Sequence, residues 1–250
     1  MSQVKKVFAG PLGKKFLMAL TGLFLITFLV VHLAGNLQLL KDDGGYAFNQ
    51  YAVFMTSNPL IKTVSYVLYT SILAHVIISL ILTIKNQKAR PEKYRSSGSQ
   101  STSVWQSRNM GILGTIILIF LAVHLQGFWA KYKMDAVPYA KYEVSKTGEV
   151  SKTVLLETEV TEEMKKEEGV FQDLYIEVAT AFKVWWIVAI YVLSMIGMAF
   201  HLSHGFQSAF QTLGINHTSY TPAIKFIGTA FSIIISALFA WMPIYFFFIH

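Results

Sequence analysis

The chain has 250 residues, 54% of them hydrophobic, a mean hydropathy of +0.47 and a formal charge of +7. Soluble domains are seldom so apolar, and apolar runs of about 18 residues or more mark membrane helices. Cysteine is absent, which excludes disulfides, a covalent CxxCH haem attachment and any iron–sulfur cluster held by this chain's own thiolates.

Five apolar runs fall near 16–40, 60–84, 109–130, 180–207 and 223–249. The first is too long for a signal-peptide core, and no small-residue cleavage site follows a short apolar stretch. In hydrocarbon only helices satisfy the backbone over such lengths, so the expected fold class is all-α, a single membrane domain of five spans. Lys5, Lys6, Lys14 and Lys15 precede span one, and Lys85, Lys88, Arg90, Lys93, Arg95 and Arg108 lie between spans two and three. The loop 131–179 carries most of the acids. The positive-inside rule then puts the N-terminus in the cytoplasm and the C-terminus outside. The net charge is thus a topology signal and not a nucleic-acid one. Trp129, Trp185, Trp186 and Trp241 near span ends suit interfacial belts.

Between spans one and two, residues 41–59 read as a short outer loop ending in Asn58-Pro59, with the proline in the first turn of the next helix. The Ser-rich RSSGSQSTS in 85–108 reads as a polar inner loop. In the outer loop, YEVSKTGEVSKTVLLETEV (142–160) alternates like a strand pair with a TG turn. TEEMKKEEGVFQDLYIEV (161–178) reads as a charged surface helix leading to span four. Thr221-Pro222 opens span five.

Seven histidines occur, and His32, His75, His124 and His201 each sit inside a different one of the first four spans. An ionisable residue in a membrane span is by default a functional-site hypothesis. Residues 22–35, GLFLITFLVVHLAG, and 114–127, GTIILIFLAVHLQG, are identical at seven of fourteen positions. Each copy carries one histidine on an outward-running span. His32 lies about 16 residues in, roughly 24 Å at 1.5 Å per residue, and His124 lies at a similar depth. His75 and His201 fall nearer the inner face. The expectation is two pairs, His32 with His124 and His75 with His201.

Zinc takes three or four protein ligands, and neither level offers a third. A haem iron needs only two axial ligands. Gly22 and Gly35 flank His32 at the offsets at which Gly114 and Gly127 flank His124, and Gly205 follows His201 by one turn; small residues leave room for close approach. In HLSHG, His201 is the favoured ligand, and His204, one turn away, is the alternative or a partner for a haem propionate.

The stretches TGLFLITFLVVHLAGN, YAVFMTSNPL, LAHVIISL with KARPEKYR after it, NMGILGTIILIFLAVHL and FHLSHGFQSAFQTLGINH resemble the dihaem cytochrome b anchor subunit of succinate dehydrogenase and fumarate reductase, the succinate:quinone oxidoreductases. The resemblance covers all four histidine-bearing spans. It implies two haem b groups, outer on His32/His124 and inner on His75/His201. It also implies a flavoprotein subunit with FAD and an iron–sulfur subunit, both docked on the cytoplasmic face of the cell's inner membrane. The dicarboxylate site would lie on the flavoprotein, and this chain would pass electrons to a membrane quinone, by resemblance menaquinone. Some relatives carry a Glu two positions before the last ligand histidine; here Ala199 stands there. Candidate quinone or proton residues are Asp42, Asp43, Asn49, Gln50 and Tyr51; candidate haem-propionate partners are Lys15, Arg108 and His204. The rival readings are a dihaem cytochrome b of a hydrogenase or formate dehydrogenase type, and a non-redox membrane protein.

Overall fold

The computed structural model describes residues 10–89, 105–155 and 160–249. Lys5, Lys6, Arg90, Lys93, Arg95, the Ser-rich stretch 95–103 and His250 lie outside the described residues. The chain is mostly helical, and five helices are long and apolar enough to cross a membrane. They are α1 (Pro11–Asn36), α3 (Pro59–Lys88), α4 (Trp105–His124), α6 (Trp185–Thr212) and α7 (Thr221–Ile249). A single 3₁₀ turn, Leu37–Leu40, extends α1, and α4 runs on through a π-helical stretch, Leu125–Ala130, into a last turn, Lys131–Lys133. Their large apolar side chains are widely exposed, among them Leu73, Ile112, Ile119, Leu193, Phe226 and Ile233. Such a surface suits lipid and not water. Trp129, Trp185, Trp186 and Trp241 are exposed as well.

The connection between the first two spans is not a plain loop. It contains α2 (Tyr46–Ser57). Gly44 and Gly45 take positive φ, and the Asp43 carboxylate accepts the N–H groups of Gly45 and Ala47, so a turn and a cap start the helix. At its far end Asn58 accepts from Leu60 and Ile61 and caps α3, whose first residue is Pro59.

The segment between α4 and α6 is only partly helical. β1 (Tyr139–Val144) and β2 (Val150–Leu155) form the hairpin that the alternating pattern predicts, turning at Gly148, and β3 (Val170–Gln172) pairs antiparallel with the other edge of β1. The single surface helix expected over 161–178 is therefore corrected to a 3₁₀ turn, Met164–Lys166, then β3, then the start of α5 (Leu174–Ala181). Gly169 is the physical reason. It sits at φ 82°, its carbonyl accepts the Tyr142 N–H at 2.8 Å, and any Cβ there would strike the Tyr142 carbonyl. The chain leaves helical geometry at that residue and completes the sheet. Asp173 then caps α5 by accepting from Ile176.

Contacts divide the molecule into two compact units. One holds the described parts of Met1–Leu29, Ser65–Ile117 and Ser194–Ala237; the other holds those of Val30–Val64, Leu118–Leu193 and Leu238–His250. The second unit contains α2, the sheet, α5 and an aromatic core of Leu39, Phe48, Tyr175, Phe182, Tyr191 and Phe246. It also buries a polar cluster. Asn49, fully buried, donates to Tyr142 Oη at 2.9 Å and Asp173 Oδ1 at 2.8 Å and accepts from the Tyr175 N–H. Lys152 Nζ lies 2.6 Å from Asp173 Oδ2 and within 5.6 Å of the Tyr142 and Tyr175 ring centres.

Candidate functional site

The four span histidines meet as two pairs, and each pair lies wholly within one unit. His75 on α3 faces His201 on α6, with ring centres 6.4 Å apart and planes at 63°. His32 on α1 faces His124 on α4, at 5.8 Å and 89°. The pairing follows the depth arithmetic of the sequence. Two nitrogen–metal bonds of about 2 Å plus two ring radii put trans imidazoles about 6 Å apart, centre to centre. Both pairs are at that spacing, so they fit a single metal centre held from two sides. Among the described residues no group of three or more His, Cys, Asp or Glu side chains converges as a metal site. Two axial donors and nothing more is the donor set a haem iron needs, because the macrocycle supplies the other four.

Glycine placement is different from the flanking role that spacing along one helix predicts. A Cβ on Gly22 would lie 3.5 Å from His75 Cε1, and one on Gly114 would lie 3.6 Å from His201 Cε1. The first glycine of each repeat therefore seats an imidazole from another helix, while the histidine of the same repeat belongs to the other pair. Gly35 instead sits under the Tyr51 ring, which leaves no room for a Cβ. Gly127 and Gly205 face open space.

Each pair is held in a distinct setting. The His75 Nδ1 is 3.1 Å from Thr21 Oγ1, and the Thr21 hydroxyl donates to the Leu17 carbonyl at 2.8 Å. His201 Nδ1 is buried without a hydrogen-bond partner among the described residues. His204 lies one turn further along α6, and it is the His201 ring that faces His75. In the other unit His124 Nδ1 is 3.2 Å from the Tyr191 phenol. Phe120, Phe128 and Tyr191 surround the His124 ring at 5.6–6.1 Å between centres, and Phe239 covers His32 at 5.6 Å. Asn36 Nδ2 lies 3.4 Å from both His32 ring nitrogens and donates to the His32 carbonyl at 2.7 Å. Thr21, Asn36 and Tyr191 carried no role in the sequence reading. The signal was present in part: Thr21 directly precedes, and Asn36 directly follows, the repeated segment.

The remaining candidates separate. Asn49 commits both amide hydrogens and its oxygen to the polar cluster, and Asp43 commits its carboxylate to the α2 cap. Tyr51 packs on Gly35, and burial raises its phenol above the usual range. Gln50 is exposed and donates to Tyr46 Oη at 3.3 Å, and Asp42 is exposed. Lys15 and Arg108 are exposed on α1 and α4. The cleft of about 860 Å³ beside the sheet, lined by Tyr46, Tyr132, Tyr139, Tyr142 and Phe171 among others, includes none of the four histidines.

No protein-family model, no curated protein and no solved structure matches the chain.

Proposed function

We propose that this chain is a dihaem cytochrome b, the membrane anchor of a succinate:quinone oxidoreductase. The observation that carries the reading is the pair of two-histidine centres, each drawn from two helices, each without a third ligand among the described residues. In this reading His32 and His124 hold one haem b, and His75 and His201 hold the other. Held by these imidazoles, each haem would supply one-electron transfer, and the two histidines of each pair would leave no position open for oxygen.

The chain's own residues supply the rest. The four histidines offer neutral imidazole nitrogens in an apolar setting. The rings of Phe120, Phe128 and Phe239 keep water from His124 and His32. Gly22 and Gly114 let the other two imidazoles lie against a helix backbone. Electrons would come from an iron–sulfur subunit, itself fed by a FAD-bearing flavoprotein, with both bound on the cytoplasmic face beside the basic segment between spans two and three. A membrane quinone, menaquinone by the sequence resemblance, would be the acceptor, and Asp42 and Gln50 remain exposed to move protons or bond a quinone carbonyl. The N-terminus would face the cytoplasm and the C-terminus the outside of the inner membrane, as the lysine and arginine distribution supports.

The test is a dithionite-reduced minus oxidised spectrum with a pyridine haemochrome count on the purified complex. The proposal expects two haems b per chain, a co-purifying flavoprotein, and reduction of the haems by succinate. A folded chain without haem overturns it. Two haems with a partner that lacks FAD would move the chain to another class of membrane oxidoreductase.

A further inference from the structure

The two copies of the repeat differ at the residues that border them. Thr21 precedes Gly22, whereas Leu113 precedes Gly114; Asn36 follows Gly35, whereas Phe128 follows Gly127. These differences fall on the histidine surroundings. Thr21 meets His75 Nδ1, and Leu113, its counterpart, is apolar and 4% exposed. Correspondingly, His201, the imidazole seated on Gly114, has an Nδ1 with no partner among the described residues. Asn36 faces His32 with an amide, while Phe128 faces His124 with a ring, so His124 takes its polar contact from Tyr191 on α6.

Hydrogen-bond direction follows from proton counting. A threonine hydroxyl has one proton, and at 2.8 Å that of Thr21 is committed to the Leu17 carbonyl. Its oxygen can then only accept, so His75 donates from Nδ1–H. A neutral imidazole has a single N–H; with that proton on Nδ1, Nε2 is the free lone pair. For His124 the direction follows from ligation: with Nε2 as the lone pair, Nδ1 carries the N–H, and the Tyr191 phenol oxygen 3.2 Å away is its acceptor. A metal-bound histidine whose other N–H is held by an acceptor is fixed in ring orientation and made a stronger donor.

We infer that Thr21 and Tyr191 are positioning residues that accept the Nδ1–H of His75 and His124, fix Nε2 as the ligating nitrogen, and set the two centres' reduction potentials independently. The inference rests on the dihaem reading above. It also makes Leu113 the position at which the first repeat's device is missing from the second. A stronger imidazole donor favours ferric over ferrous iron, so each acceptor holds its own centre's potential down.

The experiment uses the purified complex, with haem content counted and each haem's midpoint read by optical and EPR redox titration. Thr21→Val is expected to keep two haems and raise one midpoint; Tyr191→Phe is expected to keep two and raise the other. A tenfold change in the reduction equilibrium corresponds to 59 mV for one electron, and each variant should move its own centre by about that much. Thr21→Ser should restore the wild-type value. Leu113→Thr supplies the missing hydroxyl and should lower the same midpoint that Thr21→Val raises. Unmoved midpoints, both midpoints moving in one variant, or haem loss that Thr21→Ser does not rescue overturns the inference. If Tyr191→Phe fails to assemble while the Thr21 and Leu113 variants move one midpoint in opposite senses, Tyr191 is a packing residue and the claim for it fails. Absence of haem from the wild-type complex overturns the functional reading itself, which separates the two failures.

Discussion

Replacing Lys152 with Met tests how the sheet is held against α2 and α5 in the second unit. Asp173 is 1% exposed, and its Oδ1 accepts from Asn49, Tyr142 and Ile176. Its Oδ2 makes no hydrogen bond of good angle and depends on the Lys152 ammonium 2.6 Å away. Lys152→Met keeps most of the side-chain volume against Tyr142 and Tyr175 but leaves a buried carboxylate without its cation. Breaking such a pair costs about 3–5 kcal/mol. Lys152 is itself 20% exposed, so water screens part of the attraction, and about 3 kcal/mol is the better figure. At 1.4 kcal/mol per tenfold, local opening should become roughly 100-fold more frequent. Amide hydrogen exchange by mass spectrometry reads this directly in peptides from β1, β2 and α5, with the spanning helices as internal reference. The double variant Lys152→Met/Asp173→Asn removes both charges and should recover most of the protection. Unchanged exchange in the single variant, or faster exchange in the double than in the single, would refute the reasoning.

Three further outcomes follow from other contacts. If the proposed dihaem function holds, His32→Ala should remove one haem and leave the other, and His75→Ala should remove the complementary one; equal loss of both by either variant, in protein that still folds, would refute the pairing, with haem count and spectrum as the readout. Gly22→Ala puts a Cβ in ordinary contact with His75 at 3.5 Å and should leave both haems in place, whereas Gly22→Leu should displace the His75 ring and cost the haem held there. Burial and the hydrogen bond to Asp135 push the Tyr139 phenol up to about 12. Because the folded value is raised above the ordinary value of 10.0, the stabilisation is fully present below pH 10 and lost as pH rises toward 12. Tyr139→Phe should therefore flatten that alkaline loss, seen as tyrosinate absorbance together with exchange in β1.

The sequence displayed the centre of this molecule more plainly than its edges. A histidine in an apolar run is conspicuous because its desolvation is costly, and span direction alone sorted four of them into the pairs that face each other. The partners of the glycines were hidden because spacing on one helix shows only what shares its face, and Gly22 lies against a side chain from α3. Thr21 and Tyr191 were hidden for another reason. A threonine in a span ordinarily bonds its own preceding turn, as Thr21 also does, and a tyrosine near a span end reads as an interfacial anchor. In α2, the string YAFNQYAVF has too many polar residues to look like a buried helix. It nevertheless forms a helix that buries Phe48 and Asn49, because Asn49 finds partners far along the chain. Gly169 was visible, but only the Tyr142 backbone shows why the chain must turn there.

The partners of Asn49 have a temporal consequence. Asp173 lies 124 residues further along the chain. At about 5–20 residues per second, a ribosome needs roughly 6–25 seconds to deliver it after Asn49 is made. During that interval α2 has left the ribosome without the residues that satisfy its buried amide, while two further spans, α3 and α4, are still being threaded into the membrane. The cluster around Asn49 is therefore among the last parts to close. A protease on that side of the membrane would cut newly made chains near α2 and spare finished ones, a difference that pulse–chase labelling resolves in seconds.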